Sequence, residues 1–246
     1  MTLEARNISL AKRLADVSFV LRPGQVTAIC GPNGAGKSSL LTALAGLQPL
    51  DGGEVLLDGE YLAALHPRQR AKAIGYLPQE GKVAWDVAVR NLVALGRLPH
   101  RDRGEEAIDG ALAALDLEAF ADRPVSTLSG GERARALLAR VLAGEPRWIL
   151  ADEPLAALDL AHQFALLAHL RDQARTGTGV VLVLHDLALA MNHADHVLVM
   201  QSGQLIAEGA PAAALAPQVI ADAFGVNGEW IGTLGQMAFS CYPTGK

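Results

Sequence analysis

The feature that most constrains the fold of this chain is a glycine-rich loop between an apolar segment and a helix-like one. The loop fits the pattern G-x-x-x-x-G-K-[ST] and runs Gly31-Pro32-Asn33-Gly34-Ala35-Gly36-Lys37-Ser38. Val26–Cys30 predicts a buried strand before the loop, and Ser39–Ala45 predicts a helix after it. In such a loop, backbone N–H groups curl around a phosphate while the helix N-terminus adds positive potential.

We therefore expect the loop, together with Ser39, to bind the phosphates of a nucleotide. The Lys37 ammonium would reach the outer two phosphates, and the Ser38 hydroxyl would ligate Mg²⁺. The alternative is a plain glycine-rich turn, which the flanking strand and helix disfavour.

Two adjacent acids end another apolar segment. Trp148–Ala151 predicts a buried strand, and Asp152 and Glu153 follow it directly. Carboxylates at the C-terminal end of a strand face the ligand crevice of an α/β sheet. We expect Asp152 to lie in the Mg²⁺ shell and Glu153 to orient or deprotonate an attacking water. An ordinary acidic loop is the alternative.

A second candidate anion site is the turn Ser129-Gly130-Gly131, which opens a predicted helix over Gly131–Ala143. One nucleotide does not need two such turns from one chain. A simple helix cap is the other interpretation of Ser129.

Composition excludes several classes of protein. The chain has 246 residues, of which 50% are hydrophobic and only 4% aromatic, which favours buried strands and helices built from aliphatic residues. A net charge of −5 gives no electrostatic reason to bind nucleic acid. The two cysteines, Cys30 and Cys241, have no metal-binding spacing, and we expect Cys30 to be buried. We find neither a signal-peptide pattern nor an apolar run of membrane-spanning length.

The remaining patterns divide the chain. Leu3–Leu10, Ala15–Leu21 and Glu54–Asp58 predict strands, as do Val180–Leu184 and a hairpin over Val197–Ala207. The middle of the chain has helical spacing, and its predicted helices are Val87–Leu95, Glu105–Leu115 and Gly131–Ala143. Residues after Gly225 give no structural prediction.

With the loop upstream, Ser129-Gly130-Gly131 in the middle and Asp152-Glu153 downstream, the chain resembles ATP-binding-cassette (ABC) transporter ATPases over about residues 3–226. The resemblance implies an α/β P-loop NTPase core with an N-terminal antiparallel β lobe and an inserted helical lobe. It implies one domain, residues 1–246, in which 1–79 and 146–246 form the core and β lobe and 80–145 the helical lobe.

The resemblance also assigns roles to single residues. Gln79 matches the glutamine that senses Mg²⁺ and the attacking water, and Asp159 lies in the loop that crosses a dimer interface. His185 matches the histidine that contacts the γ-phosphate. Ser129, Gly130 and Gly131 would contact ATP held by a second copy of the chain. The implied enzyme is an ATP hydrolase with Glu153 as its base.

The implied assembly is a head-to-tail homodimer on the cytoplasmic face of a membrane, bound to integral permease subunits and served indirectly by a substrate-binding protein. The permease would dock near Lys82–Val89, with Trp85 either a contact or a packing residue. The transported compound would not touch this subunit. From the length of the chain, we expect no additional C-terminal regulatory domain of the kind that some importer ATPases carry.

Within the family, three stretches resemble importers of iron chelates, haem or cobalamin. They are Gly96-Arg97-Leu98-Pro99-His100, Leu158-Asp159-Leu160-Ala161-His162-Gln163, and His185-Asp186-Leu187 through Phe224-Gly225-Val226. We interpret His100 and His162 as solvated residues and not as metal ligands, because no other ligand has suitable spacing. A single-cassette ATPase of iron–sulfur assembly and a nucleotide switch without hydrolysis are the alternatives.

One position departs from the family pattern. The aromatic residue that stacks on adenine is replaced by Lys12 or Arg13, and Phe19, the aromatic nearby, is expected in the core. The Arg13 guanidinium could stack on the base instead.

Overall fold

The computed structural model describes residues 2–79 and 86–243 of the chain. Strands and helices alternate through most of that length. The strands are β1 (Leu3–Leu10), β2 (Leu14–Leu21), β3 (Val26–Cys30), β4 (Gly52–Leu57), β5 (Glu60–Tyr61), β6 (Ile74–Leu77), β7 (Trp148–Asp152), β8 (Gly179–Val183), β9 (His196–Gln201), β10 (Gln204–Gly209), β11 (Val226–Ile231) and β12 (Ala238–Pro243). The helices are α1 (Lys37–Leu44), α2 (Pro67–Ala73), α3 (Val89–Ala94), α4 (Glu105–Ala113), α5 (Gly130–Ala143), α6 (Leu160–Arg175), α7 (Leu187–His193), α8 (Pro211–Ala214) and α9 (Pro217–Phe224).

A six-stranded sheet with the order β10-β9-β3-β8-β7-β6 forms the centre of the molecule. Its pairs are parallel except for the hairpin of β9 and β10. Every residue of β3, β7 and β8 is buried, as their continuous apolar sequences require of strands covered on both faces. A second, antiparallel sheet has the order β2-β1-β4-β5. The α/β fold class with an antiparallel N-terminal sheet is thus confirmed.

The register of the central sheet places the motifs together. Ile29 in β3 and Asp152 in β7 both pair with Val183 in β8, so these three strands end side by side. Leu77 pairs with Ala151, which brings the end of β6 to the same edge. The loops that follow these strands therefore emerge at one edge of the sheet, where ligands bind in α/β proteins.

Between β6 and β7 the chain forms α3, α4 and α5, which pack on one another through leucine, valine and alanine side chains. Buried Arg97, which follows α3, links the segment before α4 to the end of α5. Its guanidinium pairs with Asp102 and Glu145, each at 2.6 Å, and donates to the Ala143 carbonyl at 3.0 Å. Trp85 and the first half of the proposed docking segment, residues 82–85, lie outside the described residues.

The structure corrects several element boundaries that were predicted from the sequence. Helix α1 begins at Lys37, not Ser39, because left-handed Gly36 caps it and the last two loop residues form its first turn. Helix α3 begins at Val89, not Val87, because Ala88 forms a bridge with Pro124. Residues after Gly225 form the antiparallel hairpin of β11 and β12. Among the described residues, no helix has the length and apolarity needed to cross a membrane.

Candidate active site

The phosphate loop is held in shape by close backbone packing behind it. Gly36 has φ +100°, and a Cβ placed on it would lie 2.6 Å from the carbonyl oxygen of Arg13. Gly203, in the turn between β9 and β10, accepts a hydrogen bond from Ala15 and donates one to the Ala35 carbonyl. The turn that contains Arg13 therefore lies directly against the loop. This contact requires glycine at position 36.

Lys37 lies inside the loop and is 6% exposed. Its Nζ donates to the carbonyls of Gly31 at 2.8 Å and Pro32 at 3.0 Å. Burial lowers the pKa of the ammonium, and the negative charges of Glu153 and Asp152 act in the opposite direction. The ammonium is thus bonded to the loop and within electrostatic range of the two acids. A bound anion there would gain a charge-assisted hydrogen bond.

Asp152 is the clearest indication of a cation site. It is 3% exposed, and its Oδ1 has no hydrogen-bond partner among the described residues. Burial raises the pKa of the carboxyl, and a hydrogen bond with Ser38 opposes that shift. A buried carboxylate oxygen without a partner is costly, and a cation would compensate it. Carboxylate and hydroxyl oxygens are suitable ligands for Mg²⁺, so Asp152 and Ser38 fit this metal.

Glu153 and His185, the predicted base and the predicted γ-phosphate contact, have side chains in contact with each other. His185 Nε2 lies 2.6 Å from Glu153 Oε1, and the side chains are 45% and 15% exposed respectively. Glu153 has φ +51°, a conformation that usually costs a non-glycine residue about 1–2 kcal/mol. This conformation aims the carboxylate at His185 and at the end of β8. Strain of this kind is typical of functional positions.

Gln79 joins the same group, since it lines a small cavity of about 80 Å³ together with Asp152 and Glu153. The structure thus brings together the residues expected to hold the phosphates, the metal and the attacking water. Their catalytic roles remain predictions.

Ser129 does cap a helix, as the simpler interpretation proposes. Its Oγ accepts from the Glu132 N–H at 3.3 Å, and the Ser129 N–H donates to the Glu132 carboxylate at 2.7 Å. This is a complete capping box. The Ser129 hydroxyl still has its own proton to donate, and residues 129 and 130 are exposed. The cap and anion-binding roles are therefore compatible.

The Ser129 turn and the phosphate loop do not share a cavity. Ser129, Gly131, Asp159 and His162 line a separate cavity of about 360 Å³, which contains no residue of Gly31–Ser38. Among the described residues, this cavity thus joins the serine–glycine turn to Asp159 and not to the phosphate loop. This separation fits a site completed by a second chain.

Outside this cluster, Cys30 and Phe19 are buried as predicted, and burial raises the pKa of the Cys30 thiol to about 12. His100 is not a simple solvated residue, because its Nε2 lies 2.9 Å from the Gly144 carbonyl and the ring is half-buried. Within the described residues, no group of three His, Cys, Asp or Glu could hold a metal ion. Lys12 and Arg13 lie beside the loop, and their contact with a base remains a prediction.

Sequence reasoning missed two contacts of helix α6. His162 bonds to Asp159, and Gln163 bonds to the loop that leads to Asp159. The sequence signal for these contacts was the adjacent pair His162-Gln163, which begins three residues after Asp159.

We expect Gly36→Ala to destabilise the protein by about 3 kcal/mol more than Gly177→Ala. Gly177 has φ +103°, but a Cβ there meets no atom of the described chain within 4 Å, so it isolates the cost of the backbone conformation. Urea denaturation of both variants measures the difference. Equal stabilities would contradict the tight packing of the loop.

Comparison with known proteins shows which protein family the chain resembles. The family model described as ABC transporter matches residues 14–156. Hemin import ATP-binding protein HmuV from Myxococcus xanthus is 42% identical, over 96% of this chain and 96% of that protein. HmuV from Rhodococcus jostii is 43% identical over 92% of this chain and 80% of its own length.

Solved structures agree with these relatives. A chain of an inward-facing, metal-chelate type ABC transporter matches with a TM-score of 0.82 and 26% identity, over 99% of this chain and 97% of that one. The cassette MJ0796, in a dimeric post-hydrolysis state with ADP and Pi, matches with a TM-score of 0.76 and 26% identity, over 85% of this chain and 98% of that one.

Proposed function

Because the chain belongs to the ABC transporter family as one of its ATP-hydrolysing cassettes, we propose that it powers the import of haem, or of a related iron chelate or cobalamin, through a membrane permease. The observation that carries the substrate class is the 42% identity to a hemin import subunit along 96% of both chains. The alternative, a cassette of iron–sulfur assembly, is not favoured by this similarity.

The residues of one chain supply most of a hydrolysis site. The loop and Lys37 would hold the triphosphate, and Ser38, Asp152 and Gln79 would place Mg²⁺. The metal would neutralise charge on the phosphate oxygens. Glu153 would accept a proton from the attacking water, while His185 holds the carboxylate and steadies the γ-phosphate.

The site is complete only in a dimer. Ser129, Gly130 and Gly131 of a second copy would donate to the γ-phosphate, and Asp159 would cross the same interface. Two copies arranged head to tail would close on two ATP molecules. Closure would move the helices α3 to α5, which we assign to a lobe spanning residues 80–145, and hydrolysis would reopen the dimer.

The assembly that follows has the dimer on the cytoplasmic face of the membrane, attached peripherally to integral permease subunits. A substrate-binding protein would deliver the compound from the other side, so the compound would not contact this chain. No nucleic acid takes part.

Reconstitution tests this proposal. The chain, its permease and its binding protein would be placed in lipid vesicles, and ATPase would be measured with haem, a ferric siderophore or cobalamin. We expect haem to stimulate ATPase several-fold and to accumulate in the vesicles, with no accumulation for the Glu153→Gln variant. Stimulation by none of these compounds would contradict the substrate class.

Asp152→Asn should raise the Mg²⁺ concentration needed for half-maximal ATPase by about tenfold or more, because an amide is a weaker ligand than a carboxylate. Asp122→Asn, at an exposed position away from the site, is the control. An unchanged Mg²⁺ dependence would remove Asp152 from the metal shell.

A further inference from the structure

A short loop, residues 153–159, joins two sites with different roles. Glu153 begins it at the end of β7, and Asp159 ends it as the N-cap of α6. Its backbone makes two successive turns, from the Ala156 N–H to the Glu153 carbonyl at 3.3 Å and from the Leu158 N–H to the Leu155 carbonyl at 3.1 Å. Two such turns alone would not hold a loop rigidly.

Gln163, in the first turn of α6, braces this loop from behind. Its Nε2 donates to the Leu155 carbonyl at 3.1 Å and to the Leu158 carbonyl at 3.0 Å. An amide nitrogen has two hydrogens, so both are used in these two bonds. A single partly buried side chain thereby ties the middle and the end of the loop to a 16-residue helix.

His162 fixes the last residue of the loop. Asp159 Oδ1 accepts from the His162 backbone N–H at 2.9 Å and lies 2.7 Å from its ring Nδ1. These bonds to the backbone N–H and then to the ring lower the pKa of the Asp159 carboxyl. With both contacts the Asp159 side chain has one preferred orientation, beside the cavity that also contains Ser129.

We propose that Gln163 and His162 are positioning residues that join Glu153 and Asp159 into one rigid unit, so that contact of Asp159 with the second copy sets the catalytic carboxylate. This inference rests on the proposed function, because it assumes a dimer with Asp159 at its interface. The turn from Glu153 to Ala156 connects the left-handed backbone of Glu153 to this unit.

Amide hydrogen exchange on the chain without nucleotide tests the brace itself. We expect Gln163→Leu to speed exchange in the peptide covering residues 153–159 by about tenfold or more, because the variant loses both hydrogen bonds that tie the loop to α6. Gln173→Leu is the matched control, because Gln173 is half-buried on the same helix but faces a different cavity. Unchanged exchange in Gln163→Leu would overturn the proposal, whether or not the protein hydrolyses ATP.

Steady-state kinetics test the consequence. Gln163→Leu should lower kcat by about tenfold while the KM for ATP stays within about twofold, because ATP binding does not use the loop. His162→Phe should also lower kcat. His162→Asn should restore it, because the asparagine amide can replace Nδ1 as a donor to Asp159.

Failure of the proposed function and failure of the positioning role would give different results. A wild-type protein without ATPase under dimer-forming conditions would contradict the proposed function, and hydrogen exchange would still decide on the brace. An active wild type with an equally active Gln163→Leu variant would overturn the positioning role alone.

Discussion

Glu153→Gln will lower ATP turnover by about a thousandfold, within the range that removal of a general base produces. Glutamine has the same shape, but its amide cannot accept a proton from water and lacks the negative charge beside His185. The phosphate loop and Lys37 are unaffected, so ATP still binds. Bound ATP that is not hydrolysed should hold two chains together.

Phosphate release measures the turnover, and size-exclusion chromatography with ATP and Mg²⁺ measures the trapped dimer. Glu208→Gln, an exposed position on β10, is the matched control and should behave as wild type. Normal steady-state ATPase in Glu153→Gln would show that another group activates the water.

Ser129→Arg will lower turnover by at least about a hundredfold while the same chain still binds ATP, the scale of losing a transition-state donor. A long cationic side chain would fill the cavity that Ser129 lines with Asp159 and displace the turn from the γ-phosphate of the second copy's ATP. Nucleotide held by the variant's own loop would remain, because no residue of that loop lines the cavity that contains Ser129.

The effect of the added arginine side chain must be distinguished from the effect of losing the helix cap. Ser129→Ala also removes the cap, at a cost of about 1 kcal/mol, without adding bulk. Ser126→Arg adds the same bulk at an exposed position three residues before Ser129 and outside α5. Turnover should be lower in Ser129→Arg than in either control. Wild-type turnover in Ser129→Arg would reject a site shared between two chains.

The sequence predicted the centre of this fold well because the relevant signals are local. Val26–Cys30 and Trp148–Ala151 are apolar runs of strand length, followed by glycine and by acids respectively, and such runs are typical of strands in a covered parallel sheet. The register that aligns Ile29, Asp152 and Val183 follows from pairing such strands. The clustering of the motifs at one edge was therefore predictable.

Other features depend on contacts between distant parts of the chain, which sequence patterns do not reveal. The hairpin of β11 and β12 is fastened when Trp230 Nε1 donates to the Leu215 carbonyl and Asn192 bonds to Met237. His100 was expected in solvent, yet it reaches Gly144, which lies 44 positions away. The brace by Gln163 likewise depends on how the loop turns back over α6.

The residue that stacks on adenine is a feature that the local sequence does not determine. The turn of Lys12 and Arg13 is placed beside Gly36 by backbone packing, so the position is settled by the fold. Which side chain covers the base depends on the flexible ends of two cations. Stacking by Arg13 stays a prediction.

The central claim is that each ATP is hydrolysed between two copies of the chain, and mixing two inactive variants tests it most directly. Lys37→Ala removes the lysine that would contact the phosphates but keeps the Ser129 turn. Ser129→Arg disrupts the turn but keeps the phosphate loop and Lys37. A mixed dimer then contains one intact site, made from the loop of one chain and the turn of the other. We predict that each variant alone is inactive and that the mixture regains ATPase. A mixture that contains mixed dimers, verified by native mass spectrometry, and still hydrolyses no ATP would contradict the claim.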